Sequence, residues 1–146
     1  MTDILYRGKA INRDPNQSYR TTYQNGDWVY GLVSRLDKYY HNDEMTNEDG
    51  VSGIDIDRAT IGQYTSLSDK NDKKIFEGDI LIIEEYSTFE STGKGIVKFY
   101  KGKFVSFYGQ DAMGRDCYDD LYTVCNERVI AGNIHDNPEL LEESVE

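Results

Sequence analysis

The 146 residues suffice for one ordinary domain or two small lobes, so folding requires neither disulfides nor a structural metal. With 16 basic and 27 acidic residues the formal net charge is −11, and we do not expect the surface as a whole to bind nucleic-acid phosphates. Two cysteines are too few for a disulfide scaffold, and the lack of a signal peptide or long apolar run predicts a cytoplasmic protein.

The aromatic content predicts a mainly β protein. The chain has 12 tyrosines, 5 phenylalanines and one tryptophan, and such side chains suit the half-buried surface of a sheet. The first predicted strand covers Ile4 to Ile11. Strands at residues 19–24 and 27–33 flank Asn25-Gly26, which is the strongest short signal for a β-hairpin turn. We therefore expect residues 1–60 to form an N-terminal β-hairpin lobe.

The next segments alternate between polar and apolar stretches. Residues 36–53 lose periodicity and gain Asn, Asp and Gly, which predicts an exposed loop or a weak turn of helix. Residues 54–57 alternate apolar and acidic side chains, as a short one-sided strand would. Residues 68–74 form a polar turn, and residues 75–83 resume as a Gly-Asp corner that leads into an apolar strand.

A tight hairpin and a terminal helix are predicted further along. Residues 84–95 read as a polar loop, and the turn Lys101-Gly102-Lys103 joins strands at 96–100 and 104–107. We interpret residues 108–120 as a connection rich in Gly and Asp. Short strands follow at 121–124 and 129–134, and Asn137 is the predicted N-cap of a helical turn at Pro138 to Glu143.

The strand pattern of the C-terminal half indicates its architecture. Four to five strands lie within residues 75–134, with a corner, a long first loop and a tight central hairpin. This arrangement is typical of a small SH3-like barrel, and a strongly curled antiparallel sheet would give the same strand count. The sequence leaves both alternatives open. We accordingly divide the chain into residues 1–60 and 61–146.

Three segments in the C-terminal half carry a family resemblance. They are the run from Thr60 to Ile80, the stretch GIVKFYKGKF beginning at Gly95, and the ending VIAGNIHDNPELL beginning at Val129. In order and spacing they resemble the YopX family of bacteriophage and prophage proteins. The match is good over residues 54–141 and loose at the start, where residues 6–10 and 28–31 carry it.

Three positions depart from the family pattern. Ser66 stands where a glycine is usual, Asp72 replaces the glycine of the polar loop, and Ala131 is an extra small residue before Gly132. The resemblance implies a small, β-rich, phage-encoded protein. It implies no reaction, because the biochemical role of the family is not established, so no catalytic residue is transferred to this chain.

Two groups of carboxylates are candidate acid–base or cation sites. The first group comprises Glu77, Asp79, Glu84 and Glu85. Asp79 follows a glycine at a strand entry, where a side chain commonly accepts backbone N–H groups in an Asx-type turn, so we expect a structural role. The second group is Asp55 and Asp57, which share one face of a strand and are explained equally well as exposed polar residues.

The remaining chemical candidates are weaker. Asp116, Asp119 and Asp120 lack the glycine and terminal glutamate of an EF-hand loop. A triad of Cys117 or Cys125 with His135 and Asp136 has nothing nearby that would lower a cysteine pKa. No phosphate-binding glycine loop is present. We therefore expect no catalytic, cofactor or metal-binding residues and no enzymatic activity.

Aromatic and basic residues are the candidates for a binding surface. Trp28 and Tyr30 share a strand face and are expected in the core, with an interface anchor as the alternative. Tyr39-Tyr40 would be exposed. A lysine-rich, aromatic segment is neutral overall within an acidic chain, and we interpret its lysines either as edge protection or as a nucleic-acid face. Its members are Lys70, Lys73, Lys74, Lys94, Lys98, Lys101 and Lys103, with Phe76, Phe99, Tyr100 and Phe104.

The leading functional hypothesis is a phage or prophage accessory protein that binds a host or phage protein. The alternative is a nucleic-acid-binding module that uses the strands of Lys94 to Phe104, because small barrels often present such a face to single strands. Free strand edges also make a homo-oligomer plausible. The corner at Gly78-Asp79 is predicted to be structural, with Gly78 at positive φ and Asp79 accepting backbone amides.

Overall fold

The computed structural model describes residues 4–12, 23–36, 43–83 and 94–141. The chain is mainly β, as predicted, and separates into two compact units, Met1–Tyr64 and Thr65–Glu146. Within the described ranges the strands are β1 (Tyr6–Ala10), β2 (Trp28–Arg35), β3 (Glu44–Asn47), β4 (Ile54–Ser68), β5 (Lys74–Phe76), β6 (Asp79–Ile82), β7 (Gly95–Tyr100), β8 (Lys103–Gln110), β9 (Asp116–Asp120) and β10 (Val129–Asn133).

Helical structure is short and confined to the C-terminal unit in the described residues. Helix α1 covers Leu121–Val124, and 3-10 helices cover Cys125–Glu127 and Pro138–Leu141. The predicted terminal helical turn at Pro138 is thus confirmed up to Leu141, and its last two residues lie outside the described range. The expected strand at 121–124 is wrong, because the Asp120 side chain caps a helix there by accepting the backbone N–H of Tyr122. None of the described helices has the length and apolar character needed to cross a membrane.

In the N-terminal unit, strands β1 to β4 form a closed antiparallel ring. Each strand pairs with the next, and β4 pairs back with β1. Alternate side chains point inward and form the core, whose buried members are Ala10, Val29, Met45, Ile54 and Ile56. Every strand of this four-stranded ring therefore has two neighbours. The sequence predicted only a β-hairpin lobe here.

Strand β3 lies inside the predicted loop at residues 36–53. The loop prediction is wrong for Glu44–Asn47, because Met45 is fully buried in the ring and places this segment beside β2. Gly31 permits the close pairing, since a Cβ there would lie 2.0 Å from the Thr46 carbonyl oxygen. The sequence did not indicate strand β3, because this segment has no longer apolar run.

Strand β4 is much longer than the four residues predicted. Its pairing with β1 shifts between Arg7 and Lys9, which marks a bulge. At the bulge, the Thr60 hydroxyl accepts from the Lys9 backbone N–H at 2.8 Å and donates to the Asp57 carbonyl at 2.6 Å. The polar residues after residue 57, where the predicted strand ends, therefore belong to β4.

The expected turn at Asn25-Gly26 is present. Gly26 has φ of +89°, and the backbone N–H of Asp27 donates to the carbonyl of Gln24 at 3.0 Å. The strand that follows is β2. Most of the strand predicted before the turn, at 19–24, falls outside the described residues.

The C-terminal unit contains a five-stranded antiparallel sheet with the order β10-β6-β7-β8-β9. In the described part of the chain no pairing joins β9 to β10, which fits the strongly curled sheet of the two predicted alternatives. The buried members of its core are Ile75, Leu81, Val97, Leu121 and Cys125. Strand β5 pairs with the end of β4, where the Thr65 hydroxyl donates to the carbonyl of Ile75 at 2.8 Å.

The corner between β5 and β6 has the predicted geometry. Gly78 has φ of +92°, and its backbone N–H and C=O bond to Val97 and Ile134. Asp79 is only 2% exposed, and its Oδ2 accepts the backbone N–H of Phe76 at 2.8 Å. The carboxylate therefore fixes the turn that orients β6 in the sheet.

Candidate binding face on the C-terminal sheet

The candidate site lies on one face of strands β7, β8 and β9. Residues directly opposite in an antiparallel pair share a face, and the register pairs Ile96 with Phe107, Tyr100 with Lys103, and Phe107 with Tyr118. The opposite face carries Val97 and contributes to the core. We define the Lys/aromatic face by Lys98, Tyr100, Lys101, Lys103, Phe107 and Tyr118.

The hairpin between β7 and β8 sets the register of this face. Lys101 and Gly102, with φ of +50° and +88°, form a two-residue turn, which confirms the hairpin predicted at this position. The turn places Tyr100 opposite Lys103. Three of the lysines predicted from the sequence therefore lie at one end of the sheet together with Tyr100.

Strand β9 completes the face and was not predicted. Residues 108–120 were expected to be an irregular connection, but only 111–115 connect the strands. The Asp111 side chain closes this turn by accepting the backbone N–H groups of Met113 and Arg115, each at 2.9 Å. Tyr118 then lies across from Phe107, between Asp116 and Asp120.

The aromatic rings of the face contact one another, with lysine ammonium groups beside them. The ring centroid of Tyr100 lies 5.8 Å from that of Phe107 and 5.0 Å from that of Tyr118. The Lys98 ammonium sits 3.9 Å from the centroid of Phe107, a cation–π geometry. The ammonium of Lys103 is 5.9 Å from the ring centroid of Tyr118, which is 36% exposed.

Two carboxylates on β9 give the face mixed charge. The Tyr100 hydroxyl donates a hydrogen bond to Asp116, which also accepts from the Gln110 amide at 3.1 Å. The bond from Tyr100 is the main reason that the pKa of Asp116 is below its usual value, and the same bond raises the pKa of Tyr100. At the other end of the strand, Asp120 lies 3.7 Å from the Lys103 ammonium.

The structure separates the other members of the lysine-rich segment from this face. Phe76 is buried and Phe104 packs against the core, while Phe99 belongs to the opposite side of the sheet. Lys94 donates to the carbonyl of Leu140 at 3.0 Å. The remaining lysines lie in or beside the β4–β5 hairpin; they are Lys70, Lys73 and Lys74. Phe107 and Tyr118 are missing from the predicted set. Alternation from the predicted turn would have placed Phe107 on this face, whereas Tyr118 belongs to the unpredicted strand β9.

Trp28 and Tyr30 lie on the outside of the ring. The prediction that they belong to the core is wrong, because Val29, between them, is the fully buried residue. Tyr30 is 37% exposed, and the Arg7 guanidinium is 4.5 Å from the ring of Trp28. Tyr39-Tyr40 lie outside the described residues.

The predicted carboxylate groups have different surroundings. Asp79 is buried in its turn, and Glu84 and Glu85 lie outside the described residues. Asp57 accepts the backbone N–H of Ala59 at 3.1 Å, and Asp55 is across from Glu44. In the described ranges no three metal-ligating side chains come together.

In the described part of the chain, both cysteine thiols contact backbone carbonyl groups. Burial raises the pKa of the Cys125 thiol, which disfavours the thiolate, and its Sγ lies 3.7 Å from the Tyr122 carbonyl. Cys117 makes the same kind of contact with the carbonyl of Arg115. His135 donates its backbone N–H to Asn133. These contacts do not support a cysteine nucleophile.

Comparison with known proteins identifies the family. A family model described as YopX protein matches residues 9–142, which is most of the chain. The chain belongs to the YopX family. It is also similar to protein EF1440 from Enterococcus faecalis, a crystal structure with 21% sequence identity and a TM-score of 0.46, over 97% of this chain and 100% of that chain. The comparison with curated proteins gives no match.

The three departures from the YopX pattern keep the expected backbone geometry. Ser66 and Asp72 adopt φ of +69° and +67°, the left-handed conformation that glycine adopts without strain. The register of β10 shifts between Ile130 and Gly132, so Ala131 is the extra residue of a bulge. Ser66 in β4, Asp72 in the following turn and Ala131 in β10 are therefore each compatible with the local backbone.

Proposed function

We propose that this YopX-family chain is a non-catalytic protein that binds a host or phage protein in the host cytoplasm through its Lys/aromatic face. The observation that supports the proposal is the contact of three aromatic rings with lysines and carboxylates on one sheet face. Tyrosine and phenylalanine are enriched at protein interfaces, where a rigid ring gives contact area at low entropic cost. A sheet holds these rings in place before any partner arrives.

The mixed charge of the face favours a protein partner over a nucleic acid. Asp116 and Asp120 flank Tyr118 on the edge strand, where they would repel phosphates. The chain as a whole carries −11, and only 2 basic against 10 acidic residues occur in 105–146. A protein surface can match both signs of charge, and such complementarity determines which partner binds.

The test combines site-specific crosslinking with a matched pair of variants. A photoreactive amino acid replaces Lys103 in the full chain, and a partner captured from infected cells is then purified and its affinity measured. Tyr118→Ala should weaken that affinity about fivefold or more, as expected for loss of a central interface aromatic. Tyr122→Ala is the control, because Tyr122 is 75% exposed on α1 and outside the face. Equal affinity of both variants for the partner would show that this face does not take part in binding.

A nucleic-acid-binding module is the second candidate, favoured by the ammonium groups of Lys98, Lys101 and Lys103 beside aromatic rings that are at least partly exposed. Aromatic rings and lysines on an open sheet are the elements that bind single strands. Anisotropy of a labelled oligothymidine across a range of salt concentrations decides between the two candidates. Tight binding that falls steeply with salt and is lost in Lys98→Ala would favour this function over protein binding.

A further inference from the structure

Strand β9 is an edge of the C-terminal sheet. In the described residues it is hydrogen-bonded to β8 on one side, and the sheet order ends there. An edge strand presents unpaired N–H and C=O groups that another strand can bind. Five residues, Asp116–Asp120, form this edge before the chain turns into α1. The edge therefore has the length of a short peptide-binding strand.

The side chains of β9 alternate in a defined order. Asp116, Tyr118 and Asp120 share the Lys/aromatic face, as their contacts with Tyr100 and Lys103 show. A strand added beside β9 would place every second side chain next to one of these three. Opposite charges and aromatic pairs are favourable across neighbouring strands, whereas like charges are unfavourable.

We propose that β9 binds an extended segment of a partner protein by strand addition, and that this segment has the pattern basic–x–aromatic–x–basic. The basic residues lie beside Asp116 and Asp120, and the aromatic residue lies beside Tyr118. This inference rests on the proposed protein-binding function and specifies its partner. Backbone hydrogen bonds supply affinity in this mode, and the alternate side chains supply specificity.

A second copy of the same strand fits the edge poorly. If two β9 strands pair about Tyr118, Asp116 of one copy lies beside Asp120 of the other at both ends. The like charges oppose such a homodimer, so the same residues that select a basic segment also select against self-pairing. Charge complementarity therefore favours a different chain as the occupant.

The experiment uses the full chain and fluorescently labelled nine-residue peptides. The test peptide alternates lysine and threonine around a central phenylalanine, and in one control glutamate replaces every lysine. Two further peptides carry N-methyl groups on every second backbone amide. In one of them the odd-numbered amides are methylated, and in the other the even-numbered amides are methylated. Only one set faces β9 in a strand pair, so one methylated peptide should bind about tenfold more weakly and the other should bind like the parent.

Protein variants test the charge pattern. Asp116→Asn together with Asp120→Asn should weaken binding of the lysine peptide about threefold or more and improve binding of the glutamate peptide. Each asparagine keeps one oxygen acceptor, which can hold the bond from Tyr100 or from the Tyr122 backbone, while the bond from the Gln110 amide to residue 116 is given up. Slower amide exchange at 117–120 in the presence of the peptide would locate the added strand on β9.

Each outcome bears on the inference. Equal binding of both methylated peptides overturns strand addition, and equal binding of the lysine and glutamate peptides overturns the charge pattern. If no peptide binds, the inference is wrong. The proposed function is then judged separately by the crosslinked partner and its dependence on Tyr118, because a folded partner can cover the face without adding a strand.

Discussion

The ring of β1 to β4 and the sheet of β6 to β10 differ in how their strand edges are satisfied. In the ring every strand has two hydrogen-bonded neighbours, and the buried side chains lie inside it. In the sheet, β9 and β10 each have one neighbour in the described residues. The difference shows that closure removes the surface on which a partner strand could bind, whereas an open sheet keeps it.

The largest expected effect is in the core of the ring. Met45→Ala should lower the free energy of unfolding by about 2–5 kcal/mol, because the side chain is fully buried and a cavity would remain. Leu32→Ala on the outer surface of β2, where Leu32 is 52% exposed, should change it by less than about 0.5 kcal/mol. Urea denaturation of both variants measures the difference. Similar values would show that the ring does not depend on its central packing.

In the C-terminal unit, the corner at Asp79 is the position where we expect a large effect on stability, as Met45 is in the ring. Asp79→Ala should cost about 1–3 kcal/mol, because the backbone N–H of Phe76 would be buried without its acceptor. Asp79→Asn keeps an oxygen at the same place and should cost less. Thermal unfolding separates the two variants. A loss of partner binding at unchanged stability would instead make the corner part of a functional site.

The contrast between the ring and the open sheet also predicts self-association. Asp116→Asn with Asp120→Asn removes the like-charge repulsion at β9, a change of about 0.2–1 kcal/mol for each opposed pair. Sedimentation velocity should show dimers of this variant at concentrations where the parent is monomeric. A matched loss of two charges in the ring unit, Glu48→Gln with Asp49→Asn, should leave the parent behaviour unchanged. If both double variants form dimers, the dimerisation results from the lower net charge and not from the change at β9.

A smaller effect is expected at the left-handed positions of the β4–β5 hairpin. Ser66→Gly should stabilise the chain by roughly 0.5 kcal/mol, because relief of backbone strain exceeds the entropy that glycine adds to the unfolded state. Ser68→Gly, two residues along the strand, should destabilise it, since Ser68 has no positive φ to relieve. Opposite signs in chemical denaturation would confirm the assignment.

The smallest effect concerns the bond from Tyr100 to Asp116. It lowers the pKa of Asp116, so its contribution to stability is present above the pKa of an unfolded aspartate and is lost as pH falls through the lower folded value. It raises the pKa of Tyr100, so the same contribution is lost again as pH rises through that folded value. Tyr100→Phe should return the pKa of Asp116, followed by NMR, toward its ordinary value.

Local signals in the sequence predicted the turns well. The corner at Gly78, the turn at Lys101-Gly102 and the start of β2 all carry residues that specify backbone conformation directly. Strand β3 and strand β9 were missed because each is short and carries few apolar residues. Their positions depend on partners distant in the sequence, namely β2 for Met45 and β8 for Tyr118.

The same limitation explains the candidate site. The lysines and Tyr100 were visible as a segment, but alternation assigns neighbouring residues to opposite faces, so Phe99 and Phe104 separate from Tyr100. Whether Trp28 or Val29 faces inward depends on the register of β2, which a sequence with apolar residues on both faces leaves undetermined.

The two outer strands of the sheet, β9 and β10, have different kinds of protection. On β10 the outer backbone groups already have partners, because the N–H of Ile130 donates to Asp69 and that of Asn133 donates to Asn137, and the bulge at Ala131 also shifts the hydrogen-bond ladder. On β9 the protection is carried by carboxylates, which acid neutralises and salt screens. The protection of β10 is therefore part of the fold, whereas that of β9 depends on pH and on salt.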